Sequence, residues 1–600
     1  MKFPIGVSGR RRMLALAGAS ALVASGLVAV SASTAHAQTA CDVDYQVAWD
    51  GGSGFGANVT INNLGAAING WTLTFAFPGN QQISNGWIAV WSQSGANVTA
   101  VNEPWSANIP SGGSLALGFN GSYSGSNPSP STFFLNGVEC TGGPAPTESP
   151  DPDPTESPDP DPDPSQREGN PYAGADVYVN PDWSQAAQDG GAPSSIYNQP
   201  TGVWMDTRAA ITGGTTGENM SLADHLDEAV AQDAANGSTP LAIQFVIYNL
   251  PGRDCAALAS NGELAPDEID VYKQDYIDVI AGVMDDPAYA NLRIVNVIEI
   301  DSLPNLVTNV SPRETSTPEC DVMLANGNYQ EGIAYAVSTL GNLPNTYNYI
   351  DAGHHGWIGW GDPNPEFDNF NATAEMMGTI LGLEGATAAD VHGFISNTAN
   401  YSVLEEPFFD IDDVVGGQPI KEVQGGWIDF NDHLGELTFA TAFRDRLVQA
   451  GFNSDIGMLI DTSRNGWGGP DRPTGTSTSP DPITYMDESR TDRRIQLGNW
   501  CNQSGAGLGE RPQANPEPNI DAYVWIKPPG ESDGSSELVP VGPENPDGKG
   551  FDRMCDPTFT EGTPRNGNNP SGALPGAPVS GRWFQAQFDE LMANALPPVS

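Results

Sequence analysis

Between Cys41 and Cys140 the chain has no lysine, arginine or histidine. Across all 600 residues it holds only 24 Lys+Arg against 74 Asp+Glu, a formal charge of −50. A surface so poor in cations is repelled by nucleic acid and by anionic membranes, so neither is expected as a partner; a neutral polymer is not excluded. After Val30 no apolar run is long enough to span a bilayer, and no C-terminal anchor is expected. The six cysteines include no C-x-x-C pair, and His225, His354, His355, His392 and His433 include no H-E-x-x-H, so no metal is expected. A Walker or Rossmann glycine pattern after a strand is also missing, and no cofactor is expected.

What is present divides the chain into four parts. Arg10-Arg11-Arg12, the apolar run Met13–Val30 and Ala35-His36-Ala37 read as an export signal over residues 1–37, with the mature chain starting near Gln38. The arginines fit either a general or a twin-arginine exporter. A secreted, soluble monomer is expected, and its cysteines (Cys41, Cys140, Cys255, Cys320, Cys501, Cys555) read as disulfides. Residues 141–168 nearly repeat TESPDPDP. Fixed proline φ and carboxylate repulsion keep such a segment extended, a stiff tether reaching on the order of 80 Å at roughly 3 Å per residue.

Residues 38–140 alternate short strands (Ala57–Ile61, Trp71–Phe77, Asn97–Val101, Ser114–Phe119) with Gly/Asn/Pro turns, the pattern of an all-β sandwich with its ends tied by Cys41–Cys140. Trp71 lies among Leu73 and Phe75 and reads as core. Trp49, Trp87 and Trp105 neighbour polar or turn residues and are better placed for exposure, where aligned indoles would stack on sugar rings. Spacing alone leaves open that all are core.

Residues 169–600 carry strand candidates at Leu241–Tyr248, Arg293–Ile300, Tyr347–Ile350, Val391–Ile395, Gly457–Ile460 and Ala522–Ile526. Helices are expected at Ser221–Ala235, Asp267–Met284 and Tyr329–Leu340, the first two N-capped by Ser or Asp. Repeated βα units predict an α/β barrel with its site at the C-terminal strand ends. Polar residues gather at those ends: Tyr248, Arg253 and Asp254; Asp301; Asp351 and His354; Asn397 and Asn400; Asp461 and Arg464; Lys527, Glu531 and Asp533. Either Asp254 or Asp301 alone reads better as a helix cap than as a catalyst. Together, with Trp204, Trp357, Trp360, Trp467, Trp500 and Trp525 in the same region, they read as the carboxylates and sugar-stacking walls of a glycosidase. Gly530–Gly534 matches G-x-S-x-G, but Pro540, Pro543 and Pro546 follow where a nucleophile elbow needs a helix, so Ser532 is set aside.

Two resemblances sharpen these readings. FGANVTINN, INGWT, QSGANVT, NEPW, LGFNGSYSGSNP and LNGVEC make Cys41–Cys140 similar to a bacterial family 2 carbohydrate-binding module. That resemblance implies a flat strip of Trp49, Trp87 and Trp105 binding crystalline cellulose; Trp91 has no counterpart. Val246–Gly262 (VIYNLPGRDCAALASNG) and Val297–Asn305 (VIEIDSLPN) resemble the two signatures of glycoside hydrolase family 6, and DAGHHGWIGW, NTANY, DTSRNGW, NWCN and VWIKPPGESDG resemble later blocks. Most members have Glu-Pro-Asp where this chain has Glu299-Ile300-Asp301, which puts the local turn geometry in question.

The second resemblance implies inverting cleavage of β-1,4-glucan in a modified barrel of fewer than eight strands. Asp301 would be the general acid, Asp254 the neighbour that raises its pKa, and Asp533 the candidate base. Lys527 and Glu531 match sugar-binding positions, Tyr248 one that supports ring distortion, and Trp357 and Trp360 stacking walls. Arg253, Asp351, His354, Asn397, Asn400 and Trp467 complete the expected substrate-binding set. It also implies the disulfides Cys255–Cys320 and Cys501–Cys555, each pinning a long loop. Loops that roof the cleft would make a cellobiohydrolase acting from the non-reducing end on a single cellulose chain. Loops that are mere ornaments would leave an endoglucanase. A non-catalytic cellulose-binding protein is the third reading, and the filled carboxylate positions argue against it.

Overall fold

A computed structural model of the chain describes residues 41–140 and 169–600, apart from 51–53, 64–67, 103–105, 111–112, 125–126, 131–132, 137, 215–218, 362–367 and 563–565. The expected signal, the tether and Trp105 therefore lie outside the described residues, as does the Trp49 side chain. The chain forms two compact units, one before and one after the tether.

The first unit is a sandwich of two antiparallel sheets. Strands β1 (Cys41–Asp50), β2 (Gly54–Asn63), β3 (Thr72–Ala76), β4 (Gln82–Trp87), β5 (Ala89–Ser94), β6 (Asn97–Asn102), β7 (Ser114–Ser122), β8 (Phe133–Leu135) and β9 (Val138–Cys140) assemble in the orders β1-β2-β7-β4 and β9-β8-β3-β6-β5. Alternate residues Ala57, Val59 and Ile61 of β2 point inward to meet Leu73, Phe75, Val98 and Phe119, as a half-buried strand requires. Cys41 and Cys140 are bonded and close a span of 99 residues, a cross-link worth about 4–5 kcal/mol by chain entropy.

Trp71 is core, its Nε1 donating to the Ser106 carbonyl at 2.8 Å. Trp87 faces out, 41% exposed, and its indole lies flat on Gly118, where an added Cβ would come 2.2 Å from the ring. Trp91 is a buttress: it packs edge-on against Phe119 at 5.0 Å and donates Nε1 to the Trp87 carbonyl at 3.3 Å.

The second unit is built on a nine-stranded sheet. Its strands are β10 (Asp176–Val177), β11 (Val203–Met205), β12 (Leu241–Ile247), β13 (Arg293–Ile298), β14 (Thr346–Asp351), β15 (Gly393–Ser396), β16 (Gly457–Asp461), β17 (Gln513–Glu517) and β18 (Ile520–Val524). The order is β10-β12-β13-β14-β15-β16-β18-β17, with β11 also pairing β12. All pairings are parallel except β17 with β18. β10 and β11 share one edge of β12, so the parallel part has fewer than eight positions. It curls until Gly202 N donates to Trp525 O at 2.9 Å. Every residue of β12, β14, β15 and β16 is buried, so these strands show no alternation of apolar and polar residues, and the polar ones among them, such as Gln244 and Asn348, are enclosed too.

The expected helices are present. Ser221 and Asp224 cap Leu222–Ala235 reciprocally, and Asn328–Gly341 follows its apolar stripe. The Asp267 cap is not observed: the helix begins at Ile269, and the carboxylate of Glu268 instead accepts the Ala265 N–H at 2.6 Å. A π turn at Lys273–Ile277 interrupts this helix, and Tyr272 just before it and Tyr276 within it reach Glu299 and Tyr248 N at the strand ends.

Candidate active site

The C-terminal ends of β11 to β18 carry the polar residues, and the backbone there is unusual. Asp254, Glu299, Asp301, Asn397 and Ala399 all have positive φ, between 51° and 62°. Left-handed non-glycine residues persist only where surrounding contacts hold them, and they concentrate at functional sites. Ile300 sits between two of them, so the turn closes without the proline that most relatives were expected to supply.

Buried hydrogen bonds brace this rim. Glu299 links two strand exits by accepting from Asn249 N (3.1 Å), Leu250 N (3.2 Å) and Tyr272 Oη (2.8 Å), and burial pushes its pKa up to about 7. Asp351 accepts Asp301 N and Gly353 N, each at 3.1 Å, and burial likewise raises it to about 7. Asp461 accepts Ser463 N, Lys527 N and Ala399 N. These carboxylates tie loops together by accepting backbone amides, and none of the three caps a helix.

Asp254 and Asp301 differ. They lie near enough for their charges to interact, and Asp301 is raised well above 3.8, first by burial and then by the negative charges of Asp254, Asp351 and Asp533. Asp254 was expected to be the main cause; desolvation outranks it. Burial also raises Asp254, but hydrogen bonds from Ser260 and Tyr248 and the positive charges of Arg253 and Lys549 oppose that shift. Of the pair, Asp301 is the more strongly raised, because no cation or hydrogen bond opposes its burial as they do for Asp254. One oxygen of Asp254, Oδ1, is buried with no hydrogen-bond partner.

The other expected residues fall into two groups. Tyr248 packs edge-on to Trp204 at 5.5 Å, and the Lys527 ammonium lies 5.0 Å from the Trp204 ring centre. Glu531 is raised to about 7 by burial, which the charge of Lys527 opposes. Trp357 and Trp360 are partly exposed, anchored through Nε1 to Thr308 Oγ1 and Asp429 O, both at 2.8 Å. Asp533 is held by Arg464 Nη1 (2.8 and 2.9 Å), Tyr401 Oη (2.7 Å) and Asn502 N (2.8 Å).

The second group supports rather than touches. Trp467 is fully buried with Nε1 on the Tyr401 carbonyl, and Asn397, also fully buried, bonds Asp461 O and Ser402 O. Neither presents surface to a sugar, so their expected binding role is corrected to a structural one. Arg253 spends its guanidinium on the carbonyls of Ser260, Asp206, Tyr248 and Asn261, bracing the loop rather than the substrate. Asn400 takes a hydrogen bond from Arg494, and His354 Nδ1 bonds Ser402 Oγ at 3.2 Å. His354, His355 and Glu436 cluster within 4.8 Å, a grouping that sequence spacing did not reveal; His355 Nδ1 pairs with Glu436 Oε1 at 2.7 Å, fixing the loop below Trp357. Ser532 is buried, with Oγ given to the Pro578 carbonyl, and it is no nucleophile.

Both expected loop disulfides are formed, Cys255–Cys320 and Cys501–Cys555. The two pinned segments meet: Leu258 N donates to Asp552 Oδ2 at 3.1 Å and Gly550 N to Asn261 Oδ1 at 2.8 Å; outside the first segment, Asp206 Oδ2 pairs with Lys549 Nζ at 3.1 Å. Asp206 and Lys549 were not anticipated from the sequence.

A protonated carboxyl beside an ionisable one, at a rim walled by indoles, is the constellation of a glycoside-cleaving enzyme. Residues 172–595 match the model of Glycosyl hydrolases family 6, and the chain belongs to that family. Residues 41–140 match the Cellulose binding domain. Exoglucanase A of Cellulomonas fimi is 44% identical over 448 residues, 72% of this chain and 49% of that protein, so the chain spans about half the length of that relative. 1,4-beta-D-glucan cellobiohydrolase C of Emericella nidulans is 33% identical, covering 72% and 79%. The solved catalytic domain of Cellulomonas fimi Cel6B superposes with a TM-score of 0.66 at 44% identity, covering 72% of this chain and 97% of that one.

Proposed function

We propose that the protein is a secreted cellulase: a cellulose-binding module tethered to an inverting cellobiohydrolase that releases cellobiose from non-reducing chain ends. The reading is supported by the Asp254–Asp301 pair, whose charges interact, with the two disulfide-pinned segments joined to each other just after Asp254. Asp301, kept neutral, donates its proton to the glycosidic oxygen as the bond to the departing sugar breaks. Asp254 stabilises the positive charge that develops on the ring. Asp533, oriented on three sides, is the candidate acceptor of the proton from the attacking water. Lys527, Glu531, Tyr248, Trp357 and Trp360 hold the chain, and the exoglucanase and cellobiohydrolase relatives favour attack at a chain end. The names of the cellobiohydrolase relatives support the same substrate. No metal or cofactor takes part in this scheme, and the module's Trp87 face is the proposed contact with crystalline cellulose.

End-labelled cellohexaose tests the proposal. Cellobiose released from the unlabelled non-reducing end as the α-anomer is the expected result. Random internal cuts with a fast viscosity drop on carboxymethylcellulose would establish endo action instead, and no cleavage would leave only a binding protein.

A further inference from the structure

The Cys501–Cys555 segment brings a second lysine to the catalytic carboxylates. Lys549 is buried and locked to Asn545, which accepts its N–H and donates to its carbonyl, both at 2.8 Å. Its ammonium pairs with Asp206, the residue that follows β11. The Asp206 carbonyl in turn accepts Arg253 Nη1 at 2.7 Å, and the same guanidinium holds the carbonyls of Ser260 and Asn261. One residue past Lys549, Gly550 bonds the Asn261 side chain; three residues past it, Asp552 takes the Leu258 N–H. The stretch from Asp254 to Asn261 is thereby gripped by Arg253 on one side and by the Lys549 segment on the other. The grip matters because Asp254 sits in a left-handed conformation that its neighbours must hold.

Resting on the function proposed above, we infer that Lys549 is a positioning residue for the hydrolysis: it clamps the Cys501–Cys555 segment onto Asp206 and the Leu258–Asn261 stretch, and so fixes Asp254 against Asp301. It touches no sugar in this scheme. Its charge has a second effect. Together with Arg253 it favours the ionised form of Asp254, against burial. The charged groups around the clamp are Asp206 and Asp254 from the facing loops, Arg253 and Lys527 acting on Asp206, and Glu531, on which Asp206 acts in turn. Removing the ammonium therefore moves Asp254 upward, and the acid limb of the pH–rate profile moves to higher pH with it.

Three variants of the full chain separate clamp from charge. Lys549→Met is expected to lower kcat on cellohexaose about tenfold or more with KM little changed, to shift the acid limb upward, and to speed hydrogen exchange across residues 254–262. Asp206→Asn breaks the pairing but keeps the ammonium, so kcat and exchange should change without the pH shift. Lys549→Arg should restore most of both. Wild-type kcat, pH profile and exchange in Lys549→Met would overturn the inference. Failure of the unsubstituted enzyme to cut cellohexaose would instead overturn the function on which it rests; the exchange measurement reads the clamp even then.

Discussion

Replacing Asp301 by Asn leaves the shape of the site intact and removes only the transferable proton. General acids contribute about 10²–10⁴ in rate, roughly 3–5 kcal/mol of barrier. Asp301 should lie at the upper end, because burial and three neighbouring carboxylates all act to keep it protonated. The loss must depend on the leaving group. Cellohexaose needs its glycosidic oxygen protonated, whereas a dinitrophenyl cellobioside expels a stable phenolate unaided, so the defect should be large on the first and nearly vanish on the second. The basic limb of the wild-type pH profile should disappear too, since activity otherwise falls as pH rises through the pKa of Asp301. Stability follows the same sign. A carboxyl raised above its ordinary 3.8 favours the fold fully below that pH, and this contribution is lost as pH rises through the folded value. Asp301→Asn should therefore melt above wild type at pH 7, with the gain fading as pH falls toward 3.8 and absent below it. An equal rate loss on both substrates would refute the proton-donor assignment.

Other perturbations test separate parts of the molecule. Gly118→Val should drive the Trp87 indole off its sheet and weaken adsorption to crystalline cellulose, while hydrolysis of soluble oligomers stays at the wild-type rate; unchanged adsorption would remove Trp87 from the binding face. Arg464→Met strands the buried Asp533 carboxylate and should cost about 3–5 kcal/mol in urea unfolding. Adding Asp533→Asn should recover part of that stability but none of the activity. Glu299→Gln turns one of the two acceptor oxygens into a donor facing either Asn249 N or Leu250 N, so thermal stability and kcat should fall together, with no change in cellulose adsorption.

The sequence disclosed those parts of the fold whose cause is local. Strands buried on both faces stand out as apolar runs between turns, so β12, β13 and β16 begin where the pattern begins. The Ser221 cap was legible because its partner lies three residues on; the Asp267 cap failed because Glu268, one position later, reaches back to Ala265 instead. Asp254 and Asp301 were visible as charges at strand exits. Which exit carboxylates brace the loops was not visible, because the backbone amides that Asp351 and Asp461 accept come from distant or irregular segments. Lys549 and Asp206 are 343 residues apart in sequence, and no periodicity records such a pairing. Trp467 and Asn397 looked like binding residues by their motifs, yet tertiary packing had already enclosed them.

The Cys501–Cys555 bridge has a consequence for survival among proteases. Lys527, Glu531, Asp533 and Lys549 all fall within one covalent ring, while Leu538 and Val541 on its rim are 70% and 76% exposed and open to proteolytic attack. A protease that nicked the rim there would leave both cut ends fastened to the same body, the sugar-holding side and the clamping side still joined through sulfur. Such damage would surface only as two fragments on a reducing gel.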